Sequence, residues 1–96
     1  MTPEDWREGA LYDDRGERLV AHIRYQLYRE EGLDGFAEVA GRFVLHKEAC
    51  PLHTGVVQLI GPEGRRWLAR VLRISRPAGE GDLQIIEPLD VTGRDC

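Results

Sequence analysis

A chain of 96 residues, 42% hydrophobic and 31% charged, has room for one domain with one modest core and excludes two domains that each bury a useful share of their surface. The balance is that of a globular chain and not of a disordered one. No apolar run approaches the roughly 18 residues of a membrane-spanning helix, and the start Met1-Thr2-Pro3-Glu4-Asp5 lacks the basic and apolar stretches of a secretory signal, so a cytoplasmic location is the expectation.

Thr2, Pro3 and Asp5 place a capping hydroxyl, a proline at the first helical position and a carboxylate at the third, which predicts a short N-terminal helical turn running to Gly9 with Trp6 closing one end of the core. Ala10-Leu11-Tyr12 then enters the polar cluster Asp13-Asp14-Arg15-Gly16, a hairpin turn. From Leu19 to Tyr28 the chain alternates. Leu19, Ala21, Ile23, Tyr25 and Leu27 share one parity and His22, Arg24 and Gln26 the other, the pattern of a half-buried strand. A helix from Glu17 to Glu31 competes, with Asp14 and Glu17 as a capping box and Gly32 as its end. On a helical wheel, however, the apolar residues spread around most of the cylinder, whereas a two-residue period separates them cleanly.

A connection through Gly32 and Gly35 leads to a second alternating run. There Ala37, Val39, Gly41, Phe43 and Leu45 share a face, and Gly41 is the place to expect a bulge or bend. His46 to Thr54, broken by Pro51, reads as a loop. Val56 to Ile60 meets Arg65 to Ile74 through Gly61-Pro62-Glu63-Gly64, a turn that pairs positions whose numbers sum to 126 and sets Leu59 against Trp67 and Val57 against Ala69. Arg76 to Asp82 is a further turn, Leu83 to Glu87 a last strand stopped by Pro88, and the chain ends in a tail. One β domain over residues 1–90 with a flexible tail over 91–96 follows. The expected fold is mainly β: a small antiparallel meander curled into a barrel or strongly bent sheet.

Three kinds of chemistry can be drawn on this frame. His46, Cys50 and His53 lie within eight residues and are ligand types that zinc prefers. A fourth ligand would have to be Cys96, Glu48, His22 or water, none placed by a second motif. The same cysteine beside His46 or His53 suggests a thiolate nucleophile, without an orienting group or an oxyanion turn. The neighbouring carboxylates Asp13-Asp14 and Glu30-Glu31 fall in polar turns, where solvation is their ordinary role. A disulfide between Cys50 and Cys96 is disfavoured because Cys96 is the last residue. No phosphate-cradling glycine pattern occurs, and the expectation is a protein that is not an enzyme.

The segment from Pro62 to Arg76 carries Arg65, Arg66, Arg70, Arg73 and Arg76 against Glu63 alone, a charge of +4 in a chain whose net charge is −4. If Trp67 and its parity face inward, the other face presents Val56, Ile60, Leu68, Leu72 and Ile74 interleaved with Arg66 and Arg70. An apolar area edged by arginine suits a protein interface or a homodimer seam. The leading expectation is therefore a non-enzymatic binding or adaptor domain that engages a protein partner, or itself, through the Arg65 to Arg76 hairpin. The alternatives are a zinc-binding domain using His46, Cys50 and His53 and a barrel that binds single-stranded nucleic acid. The last is weakened by the acidic remainder of the chain, which repels phosphates.

Overall fold

In the computed structural model, which describes residues 6–31, 37–76 and 78–89, the two alternating runs and the arginine hairpin become parts of one closed barrel. Its strands are β1 (Arg7–Tyr12), β2 (Leu19–Glu31), β3 (Ala37–Glu48), β4 (Gly55–Ile60), β5 (Arg66–Ser75) and β6 (Glu80–Leu89). The order around the barrel is β1-β2-β3-β6-β5-β4, with β4 returning to β1, and every neighbouring pair is antiparallel. Two three-stranded meanders are thus joined along both edges, β3 to β6 and β4 to β1, which removes the exposed edges of an open sheet. Among the described residues the only helical piece is the single 3-10 turn Pro62–Gly64.

The predicted helical turn is corrected where it reaches the described residues, since Arg7 to Gly9 belong to β1. Gly9 lies opposite Ile23, and a Cβ there would come within 2.7 Å of Tyr25 Cε1. The ring of Tyr25 presses on the β1 backbone, and this contact, with the burial of Leu11, outweighs the local capping signals. Thr2, Pro3 and Asp5 lie outside the described residues, as do residues 91–96.

β2 has the predicted parity, with Ala21, Ile23 and Tyr25 buried and His22 and Arg24 exposed. The core joins these to Leu11, Phe43, Val57, Leu59, Ala69, Val71 and Leu83, so all six strands contribute. A six-stranded barrel is too narrow for large side chains at every inward position, and glycines make room. A Cβ at Gly41 would collide with Leu27 and crowd Leu83, and one at Gly81 would fall on the Phe43 ring.

Gly41 therefore supplies space, while the irregularity expected there lies elsewhere. His22 pairs with Lys47 and Ile23 with Leu45, leaving His46 as an extra residue. The loop predicted from His46 is corrected accordingly, because β3 continues to Glu48. β6 likewise begins at Glu80 and runs through Pro88 to Leu89. Pairing of β6 with β3 ends at Gln84, so Pro88 sits where β6 has only β5 beside it and a missing N–H is tolerated.

The connection after β3 folds across one end of the barrel and inserts Leu52, which is buried. Ala49 N and Cys50 N donate to the Val20 carbonyl at 2.8 and 3.1 Å. Leu52 N donates to Glu48 Oε2 at 2.9 Å, and Arg76 grips both Glu48 oxygens, Nη1 to Oε1 at 3.1 Å and Nη2 to Oε2 at 2.7 Å. The bidentate guanidinium and the Leu52 amide hold the Glu48 carboxyl down at about 2, well below the ordinary carboxylate range. No helix among the described residues is long and apolar enough to cross a membrane.

Candidate functional site

The arginine hairpin has the register its turn dictates. Leu59 opposes Trp67, Val57 opposes Ala69, Val56 opposes Arg70 and Ile60 opposes Arg66. Pro62 opens the turn, and Gly64 takes the left-handed conformation at φ 77° that closes it. Val57, Leu59, Ala69 and Val71 are buried. Trp67 is half-buried and meets Tyr25 edge to face, with centroids 6.4 Å apart and an interplanar angle of 69°.

The outer face keeps part of the predicted surface and revises the rest. Val56 is 37% exposed and Leu72 51%, and Arg70 is exposed between them, without a side-chain hydrogen bond or ion pair among the described residues. Leu68 and Ile60 are half-buried. Arg66 bends back over β4, its Nη1 donating to Gln58 Oε1 at 3.1 Å and its buried Nε without a partner among the described residues. Gln58 Nε2 in turn donates to the Asp14 carbonyl at 3.2 Å, so Arg66 braces the β1–β2 turn.

Ile74 leaves this face altogether. Val71 pairs with Leu83 and Arg73 with Asp82, which makes Leu72 an extra residue. Leu72 and Arg73 both turn outward, and the inner row moves from odd to even positions, so Ile74 packs against the core. β6 does the same one strand over: Leu68 opposes Glu87 and Ala69 opposes Ile85, which leaves Ile86 extra and 44% exposed. Ile86 was not anticipated as part of this surface. The signal was present in the doublet Ile85-Ile86, since adjacent strand residues cannot both face the core.

The zinc candidates are separated by the fold. Cys50 and His53 line a shallow depression at the barrel end with Glu48 and Arg76, where the guanidinium already occupies both Glu48 oxygens. The Cys50 thiol donates to the Leu19 carbonyl at 3.6 Å. His46 points instead into a different groove, beside His22. Among the described residues no group of three or more His, Cys, Asp and Glu side chains is placed to hold a metal ion, and Cys96 lies outside them.

Asp13 is a turn residue. It accepts from the backbone N–H groups of Glu17 at 2.8 Å and Arg15 at 3.2 Å. These bonds, Glu17 foremost, lower its pKa. The side chains of Glu30 and Glu31 fall outside the described ones. Tyr25 and Phe43 are buried and offer no stacking surface to a nucleic-acid base, while Tyr28 is exposed under the Arg42 guanidinium, 5.9 Å from its ring centre. No family model, no curated protein and no solved structure matches this chain.

Proposed function

We propose that the protein is a non-enzymatic binding domain that docks a protein through the outer face of β4, β5 and β6, with a second copy of the same chain as its occupant. One observation carries this reading. Of the exposed large apolar side chains among the described residues, Tyr28, Val56, Leu72 and Ile86, all but Tyr28 lie on these adjacent strands around Arg70. Val56, Leu72 and Ile86 place apolar surface in water, which a domain with a filled core has no folding reason to do.

Self-association is favoured by the charge pattern. Arg70 and Glu87 are both exposed on this face, and a two-fold axis would set each against the other's opposite charge. Analytical ultracentrifugation across a concentration series tests this. The expected result is a concentration-dependent dimer that Arg70→Glu weakens at least about ten-fold, the equivalent of about 1.4 kcal/mol, with an unchanged melting temperature. A monomer at every concentration up to about 1 mM, where only interactions weaker than about 4 kcal/mol escape detection, would overturn it.

A further inference from the structure

A second surface, on the opposite side of the sheet order, has a different chemistry. Glu8 and Ala10 of β1, His22 and Arg24 of β2, His46 of β3 and Ile60 of β4 line one open groove of about 300 Å³. Ile60 opposes Ala10 and Ala10 opposes His22, so an apolar floor passes directly into a polar wall. The wall lies at the bulge in β3: His46, the unpaired residue, and Lys47 both face outward, and the imidazole of His46 lies on the side that His22 occupies.

Among the described residues Arg24, His22 and His46 make no side-chain hydrogen bond or ion pair. Glu8 lies opposite Arg24 in the β1–β2 ladder, with no ion pair between them. The comparable groove near Arg42, Arg73 and Tyr28 differs in this respect, because Arg73 is already held by Asp82 at 3.0 Å and Arg42 lies on the Tyr28 ring.

We infer that this groove binds a small organic oxyanion, its carboxylate or phosphate taken by Arg24, His22 and His46 and its apolar body lying on Ala10 and Ile60. A guanidinium flanked by imidazoles presents N–H donors suited to an oxyanion. A metal cation is disfavoured by the same residues, since Arg24 would repel it and only two imidazoles line the groove. The volume is at the lower end for ligand pockets and matches a ligand of roughly one ring and one charged group. Glu8 is the opposing charge, so its removal should tighten binding.

The test is a titration of the full chain with benzoate and with phenyl phosphate, followed by backbone amide and imidazole NMR. Either ligand should give saturable shifts confined to β1, β2, the bulge of β3 and the Ile60 end of β4. Arg24→Gln should weaken binding roughly ten-fold and His46→Gln by a smaller factor, while Glu8→Gln strengthens it roughly two- to five-fold. All three side chains are exposed, and retained amide dispersion verifies that each variant is folded. The relative affinity of the two ligands distinguishes a carboxylate from a phosphate source. Shifts that stay linear to about 10 mM for both ligands, or an Arg24→Gln variant that binds as well as the parent, would overturn the inference.

Discussion

Tyr25→Phe should make the protein more stable. The side chain is 1% exposed and its hydroxyl has no hydrogen-bond partner among the described residues. It is wedged against Gly61, where an added Cβ would land on the hydroxyl oxygen. An unsatisfied buried hydroxyl costs about 1–3 kcal/mol, and its removal sacrifices only the small dispersion contribution of one oxygen. The net gain should be about 1 kcal/mol, or a rise of roughly 5 °C in melting temperature for a domain of this size. Burial also pushes the phenol above its ordinary pKa of 10.0, against the opposing charges of Arg7 and Arg65. The folded state therefore retains a proton that the unfolded chain loses above pH 10.0, and wild-type stability falls as pH rises through the unfolded value toward the folded one. Urea unfolding monitored by tryptophan fluorescence, at neutral pH and again above pH 10.0, should give a variant-to-wild-type difference that is positive at the first and larger at the second. A companion Gly61→Ala should be less damaging when combined with Tyr25→Phe than in the wild type. A loss of about 1 kcal/mol or more in Tyr25→Phe would show that the hydroxyl is bonded and refute the reasoning.

Two further outcomes concern the barrel end. Leu52→Ala removes the apolar plug; because the loop can partly sink into the space, the loss should be about 2–3 kcal/mol, the lower part of the range for buried leucines, read as a fall of roughly 10–20 °C in melting temperature. Glu48→Gln should cost about 1 kcal/mol at neutral pH, since its pair with Arg76 is partly open to solvent. The Glu48 carboxyl sits at about 2 when folded against an ordinary 4.5. Its contribution is complete above 4.5 and disappears as pH falls toward 2. Chemical melts of both proteins across that interval should converge, and a constant gap between them would assign the effect to packing.

The parts of this fold that were legible in sequence are those encoded by neighbours. The β4–β5 register follows from a turn in which Pro62 and Gly64 leave one way for the chain to reverse, and the inward row of β2 follows from the alternation of Ala21, Ile23 and Tyr25 with polar residues. Closure was not legible in the same way, because nothing local in β3 indicates that its partner is β6 and not β4. Leu52 was hidden for a related reason: an apolar residue between Pro51 and His53 reads as loop until the open barrel end beneath it is known. His46 was grouped with Cys50 and His53 by spacing. Only the continuation of β3 through His46 shows that strand geometry turns it to another face.

The bulge at Leu72 is the sharpest case, because it makes two residues of identical parity behave oppositely. In an unbroken strand Leu72 and Ile74 would both face outward, and replacing either with glutamate would be harmless. With Leu72 as an extra residue, Leu72 is 51% exposed while Ile74 packs against the core. Leu72→Glu should then change stability by no more than about 0.5 kcal/mol, as surface substitutions do. Ile74→Glu must either bury a carboxylate against the core or expel it together with the strand end, at a cost of about 3 kcal/mol. Parallel urea melts decide between them. Equal effects would mean that the ladder is regular, that Ile74 belongs to the outer face, and that the apolar surface proposed for docking is differently composed. The predicted inequality, with Leu72→Glu also weakening the dimer, would confirm both the bulge and the surface, since the extra residue returns Ile74 to the core while Leu72 stays exposed.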